Sequence, residues 1–148
     1  MARRNRVAVA LVLLSVTVLL CGCSKERMCH VPVGDATCQI EPDSPLYPGL
    51  NSTSGYEYLY GGYQGIVVIR TGWRDFVAYE RTCPHDKGVL RMAPDYGNMV
   101  LECPDCGSRF STFAEGTTVE GSVTSCSLYQ YATYFDGRIL YISNYETF

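Results

Sequence analysis

The chain has 148 residues with 15 acidic and 12 basic side chains, a formal charge of −3. No run of Lys or Arg follows Arg6, which argues against nucleic acid as a partner. Twelve tyrosines and many β-branched residues are not the composition of a disordered chain, and they point to a packed sheet.

Taken in chain order, Arg3, Arg4 and Arg6 precede "VAVALVLLSVTVLL", an uncharged apolar run over residues 7–20. A charged n-region followed by an h-region of this length reads as a signal peptide and is short for a membrane span. The "LCGC" that closes it resembles a bacterial lipoprotein signal, in which Cys23 takes lipid and becomes the new N-terminus. An ordinary signal peptide with Cys23 unmodified is the alternative. The lipid reading predicts a signal peptide over 1–22, a lipidated tether over 23–35 and one domain over 36–148. Such a chain is anchored to the membrane of a bacterial cell envelope by lipid alone, with its domain in the periplasm or at the cell surface. The 126 residues left after residue 22 suffice for one core. With nine basic residues against 15 acidic, their charge is about −6.

The polar stretch "SKERMCHVPVGD", residues 24–35, lacks periodicity and reads as the tether. Short β-rich runs follow: "ATCQIE", "YEYLY", "GIVVIR" and "DFVAYER". Turn-forming stretches separate them, and Pro42, Pro45 and Pro48 place the first of these in a loop or at a sheet edge. "VLRM", "NMVLE" and "RFSTF" continue the pattern, and "LYQYATYFDGRILYIS" closes it, with Asp136–Gly137 as a hairpin signal. No segment carries a sustained helical period, so the fold class is all-β with at most a turn of helix. The alternating Tyr56, Tyr58, Tyr60 and Tyr63, and Tyr129, Tyr131 and Tyr134, suit cross-strand packing.

Six cysteines remain after Cys21 and Cys23: Cys29, Cys38, Cys83, Cys103, Cys106 and Cys126. Export permits disulfides, and a Cys29–Cys38 bridge closing a short loop is the first expectation. Cys126 reads as a small buried residue or as a partner for Cys38. His30 reads as a solvated tether residue.

Two loops carry the chemistry. "TCPHDKGVL", residues 82–90, brings Cys83 and His85; "CPDCGSRF", residues 103–110, brings Cys103 and Cys106 as C-x-x-C. Each pair sits in a Pro/Gly-containing loop beside a strand, so two tight knuckles can converge on one metal centre. The competing reading is a Cys103–Cys106 or Cys83–Cys103 disulfide with His85 on the surface.

"CPH", a gap of 17 residues, then "CPDCGSRF" resembles the Rieske iron–sulfur family and its C-x-H and C-x-x-H-G-S loops. "GIVVIRTGWRDFVAYERTCPH" and "EGSVTSCSLYQYATYFDGRILYIS" are similar to the family's flanking strands, so the likeness spans roughly residues 56–145. The resemblance implies an antiparallel β-sandwich with a small two-loop subdomain holding a [2Fe–2S] cluster. Carried over, Cys83 and Cys103 match the sulfur ligands, His85 matches the first histidine, and Cys106 stands where the second would be. Ser108 matches the serine that hydrogen-bonds the cluster, and Phe110 replaces a tyrosine of high-potential members. The family's inter-loop disulfide positions are Gly88 and Asp105 here, so that link is absent. A third thiolate lowers the potential from the His₂ range, about −150 to +300 mV, toward the all-cysteine value near −400 mV. Any proton coupling then rests on His85. The resemblance implies an electron carrier rather than a catalyst, with a redox partner protein of unknown identity. Zinc in a Cys₃His set, or no metal with disulfides in the loops, is the competing non-redox reading.

Overall fold

The computed structural model describes residues 29–145. The expected signal peptide, Cys23 and the first part of the tether lie outside the described residues. Among the described residues no helix is long and apolar enough to cross a membrane.

The expected all-β architecture is the one observed. Strands β1 (Cys38–Ile40), β2 (Tyr56–Leu59), β3 (Ile66–Arg70), β4 (Phe76–Glu80), β8 (Gln130–Phe135) and β9 (Leu140–Ser143) form one antiparallel sheet in the order β1-β9-β8-β4-β3-β2. Strands β5 (Arg91–Met92), β6 (Val100–Glu102) and β7 (Arg109–Ser111) form a second, smaller sheet in sequence order. The helix content described is two 3₁₀ turns, Pro48–Leu50 and Pro94–Tyr96, each opened by a proline whose fixed φ suits a first helical position.

The run "IVVIR" explains how the parts meet. Every residue of β3 is buried, because alternate side chains serve two different cores. Ile66 and Val68 join Ile40, Phe76, Leu140 and Ile142 in the first. Since residues of β1 and β9 share that cluster with residues of β3, the large sheet curls over on itself. Val67 and Ile69 face the other way and join Leu90, Met92, Leu101 and Phe110 in the second core, which welds the small sheet to the large one. Cys83 and Cys103 belong to this second core. The C-terminal hairpin forms where Asp136–Gly137 predicts it. Phe135 pairs with Leu140, and the Asp136 carboxylate accepts the N–H groups of Arg138 and Ile139, each at 2.8 Å.

One buried carboxylate organises the approach to the ligand loops. Glu80, at the end of β4, has no exposed surface. Its oxygens accept five hydrogen bonds: from the N–H groups of Tyr63, Gln64 and Thr82, from the Thr82 hydroxyl and from the Tyr131 hydroxyl. A carboxylate survives burial only with its lone pairs so occupied. Burial together with the Glu80 charge pushes the Tyr131 phenol above its ordinary pKa, which keeps it a donor. A side chain on Gly62 would collide with Glu80 and Tyr131, and the φ of +65° there suits glycine.

The disulfide expectation is corrected. Cys29 is bonded to Cys126, with Cα atoms 5.4 Å apart, and Cys38 is a free thiol. Cys38 is committed to β1 opposite Ile142, and its side chain packs on the first core. Residues 34–36 are likewise held on the domain. Asn144 bonds the Gly34 carbonyl (3.0 Å) and the Ala36 N–H (2.8 Å), and the Asp35 carbonyl accepts the Gly62 N–H (2.8 Å).

Peptide mapping under non-reducing conditions should therefore recover a Cys29–Cys126 crosslink; a Cys29–Cys38 product would contradict the structure. Glu80→Gln places an NH₂ against N–H donors and should cost about 2–3 kcal/mol in urea unfolding. A loss near zero would show that the network contributes little.

Candidate metal centre

The two loops follow one construction. The first spans residues 83–88 between the paired Thr82 and Val89; the second spans 103–108 between the paired Glu102 and Arg109. In the first, the Cys83 N–H bonds the Gly88 carbonyl (2.8 Å) and the Lys87 N–H bonds the Cys83 carbonyl (3.0 Å). In the second, the Cys103 N–H bonds the Ser108 carbonyl and the Gly107 N–H bonds the Cys103 carbonyl, both at 2.9 Å. The fifth residue of each is left-handed, Lys87 at φ 66° and Gly107 at φ 72°. Glycine adopts that conformation freely, whereas Lys87 is held there at a cost of about 1 kcal/mol. Gln64, positioned by Glu80, donates through Nε2 to the Lys87 carbonyl (2.5 Å) and the Thr82 hydroxyl (3.3 Å), bracing the first loop.

These closures turn three sulfurs toward one point. Cys83 and Cys103 are fully buried, Cys106 is half-buried, and the Cys83 and Cys106 sulfurs lie 3.8 Å apart. Nearby backbone N–H groups, of Asp86 and His85 for Cys83 and of Cys106 and Asp105 for Cys103, favour the ionised sulfurs. Burial nevertheless pushes both thiols above the ordinary cysteine pKa. Ser108 is fully buried with its hydroxyl 3.2 Å from the Cys106 sulfur, where the expected tuning residue belongs. Phe110 is a buried member of the second core.

The fourth group at this point is Asp86. A carboxylate oxygen of Asp86 and the sulfurs of Cys83, Cys103 and Cys106 all lie within 4.8 Å of one another. Asp86 is 3.3 Å from the Cys103 sulfur through Oδ1 and 3.6 Å through Oδ2, and Oδ1 also accepts the Gly88 N–H at 2.9 Å. Burial opposes its ionisation, but that N–H and the three surrounding thiols hold the carboxyl at about 2. Asp86 is exposed, as is His85, the expected histidine ligand, which is not one of the groups within that mutual distance. Sequence reasoning missed Asp86 because C-x-H was matched first. The signal was nonetheless present: laid over each other, "CPHD" and "CPDC" set Asp86 against Cys106. The positions expected to lack the inter-loop disulfide do face one another, since a Cβ on Gly88 would run into the Asp105 carboxylate and the Cys103 sulfur.

The family model described as Rieske [2Fe-2S] domain matches residues 52–133, more than half of the chain. The chain therefore belongs to the Rieske [2Fe-2S] domain family, and its fold is a Rieske-like antiparallel β fold. No curated protein sequence matches it. The cofactor of a Rieske domain is a [2Fe–2S] cluster. The donor set fits such a group: Cys83, Cys103 and Cys106 bring three sulfurs together on two braced loops, and cysteine thiolates are the usual protein ligands of iron–sulfur clusters.

Ser108→Ala removes the hydroxyl beside Cys106. If about 1 kcal/mol of its hydrogen bond favours the more negative, reduced state, the potential should fall by about 40 mV in protein-film voltammetry. An unchanged potential would show that the hydroxyl does not tune the centre.

Proposed function

We propose that this protein is a lipid-anchored electron carrier of a bacterial cell envelope, working through a [2Fe–2S] cluster held by Cys83, His85, Cys103 and Cys106. The observation that carries the electron-transfer reading is the convergence of those three sulfurs on braced loops in a Rieske-family chain. The cluster supplies a one-electron couple when bound. The protein's own residues bury the sulfurs of Cys83 and Cys103 against the second core and leave the tips of the loops, His85 and Asp105 among them, toward solvent. An electron-transfer partner can approach at those tips without any substrate entering the fold.

The anchor is supported by the apolar run at residues 7–20 ending in "LCGC", with Cys23 as the lipid acceptor. The Cys29–Cys126 disulfide agrees with an oxidising compartment. A carrier rather than a catalyst is in keeping with the Rieske [2Fe-2S] family match.

Protein isolated from its own host should be red-brown and contain iron and acid-labile sulfide, and it should migrate with membranes until Cys23 is replaced. Colourless protein carrying zinc instead would sink the electron-transfer reading. Cys106→His exchanges an anionic ligand for a neutral one, so the potential should rise toward the His₂ range of about −150 to +300 mV. A fall would contradict the ligand role of Cys106.

A further inference from the structure

The segment leading into the domain is fastened at the end that carries the ligand loops. Cys29 is bonded to Cys126, and residues 122–129 around Cys126 are tied to the roots of both loops. On one side the Ser122 hydroxyl accepts the Arg109 N–H (3.0 Å) and donates to the Arg109 carbonyl (2.9 Å), directly after the second loop. On the other, the Tyr129 carbonyl accepts the Glu80 N–H (2.9 Å), and Glu80 holds Thr82 at the entry to the first loop. From Cys29 the chain runs to the Gly62 turn, where the Asp35 carbonyl accepts the Gly62 N–H (2.8 Å) and Gln64 braces Lys87. The far end of the domain is the turn between β3 and β4, beyond the Arg70–Phe76 pair. Trp73, the single tryptophan of the chain, stands exposed there.

We infer that the Cys29–Cys126 disulfide is a short leash that turns the ligand-loop end of the domain toward the lipid surface. The inference rests on the proposed lipid anchor at Cys23. Six residue steps separate Cys23 from Cys29, a reach of at most about 22 Å when fully extended. Without the disulfide the first attachment is Gly34, bonded by Asn144, and eleven steps reach at most about 40 Å. Turning the domain over would place the length of β3, about 17 Å for its five residues, and the Trp73 turn between the leash and the bilayer. The short leash manages that only when drawn taut, whereas the longer one manages it with slack. The surface at the loop end suits a lipid boundary. Tyr60 and Tyr63 on the β2–β3 turn, Val89 after the first loop and Val123 beside the second are all exposed. Tyrosine rests well at headgroup level because its ring is apolar and its hydroxyl stays wet. An electron partner then meets the centre at the membrane surface.

The test is energy transfer from tryptophan to a dansyl-headgroup phospholipid in phosphatidylcholine vesicles carrying the full, host-processed chain. The parent reports from the far end through Trp73. Trp73→Phe combined with Val123→Trp, or with Tyr60→Trp, moves the reporter to the loop end. Tyr60 is 100% exposed, so that second variant disturbs no packing. Each protein is read as the ratio of its emission with and without the labelled lipid, which cancels quenching inside the protein. Transfer should be several-fold greater from the Val123→Trp and Tyr60→Trp reporters than from Trp73; equal transfer, or more from Trp73, would overturn the inference. Adding Cys29→Ser and Cys126→Ser to each reporter should narrow the difference between the two ends. A difference left unchanged would show that the disulfide is not the leash. A parent chain that fails to sediment with vesicles would sink the anchor reading and this inference with it. A chain that sediments yet transfers mainly from Trp73 would overturn the inference alone.

Discussion

A fully buried carboxylate sits where the large sheet passes into the first ligand loop. Glu80 accepts five hydrogen bonds from three separate segments: the turn at Tyr63–Gln64, the root of the first ligand loop at Thr82, and Tyr131 on β8. None of these donors can leave without stranding a buried charge, so the three segments behave as one unit. Gln64, held in that unit, then braces the Lys87 carbonyl. Through this chain of contacts the rigidity of the large sheet reaches the tip of the first loop.

The second loop gains its rigidity differently. It is a hairpin tip between β6 and β7, with Glu102 paired to Arg109, and the small sheet that carries it is packed on the large one through the second core. Cys83 and Cys103 are themselves members of that core. Packing and ligation are therefore coupled: the same apolar contacts that join the sheets set the spacing of the sulfurs. A metal centre bound between such loops would meet donors whose backbone is already held by the closing hydrogen bonds of each loop. Gly88 and Asp105 face one another across the tip, where a Cβ on Gly88 would meet the Asp105 carboxylate.

Charge gives the site its character. Three thiolates and a nearby carboxylate are a more anionic surrounding than two cysteines and two imidazoles. If all of these groups were ionised around a bound centre, removing an electron would be favoured and adding one opposed. Ser108 places its hydroxyl 3.2 Å from the Cys106 sulfur, and Phe110, buried as packing, offers no hydroxyl.

Local pattern alone determined the strands, because period-two alternation and Pro/Gly/Asp turn chemistry are short-range properties: "GIVVIR", "DFVAYER" and the Asp136–Gly137 hairpin fold where they are read. The three sulfur positions, Cys83, Cys103 and Cys106, were legible for the same reason, since spacing within a loop survives into the structure. Three things depended on the tertiary arrangement. Cys29 found Cys126 across 97 residues because β1 holds Cys38 against the first core. Glu80 drew its donors from up to 51 residues away. Whether His85 or Asp86 turns toward the sulfurs was set by the backbone closure of the loop and by the facing loop opposite it. Composition and spacing carry no direction, and direction is what a ligand needs.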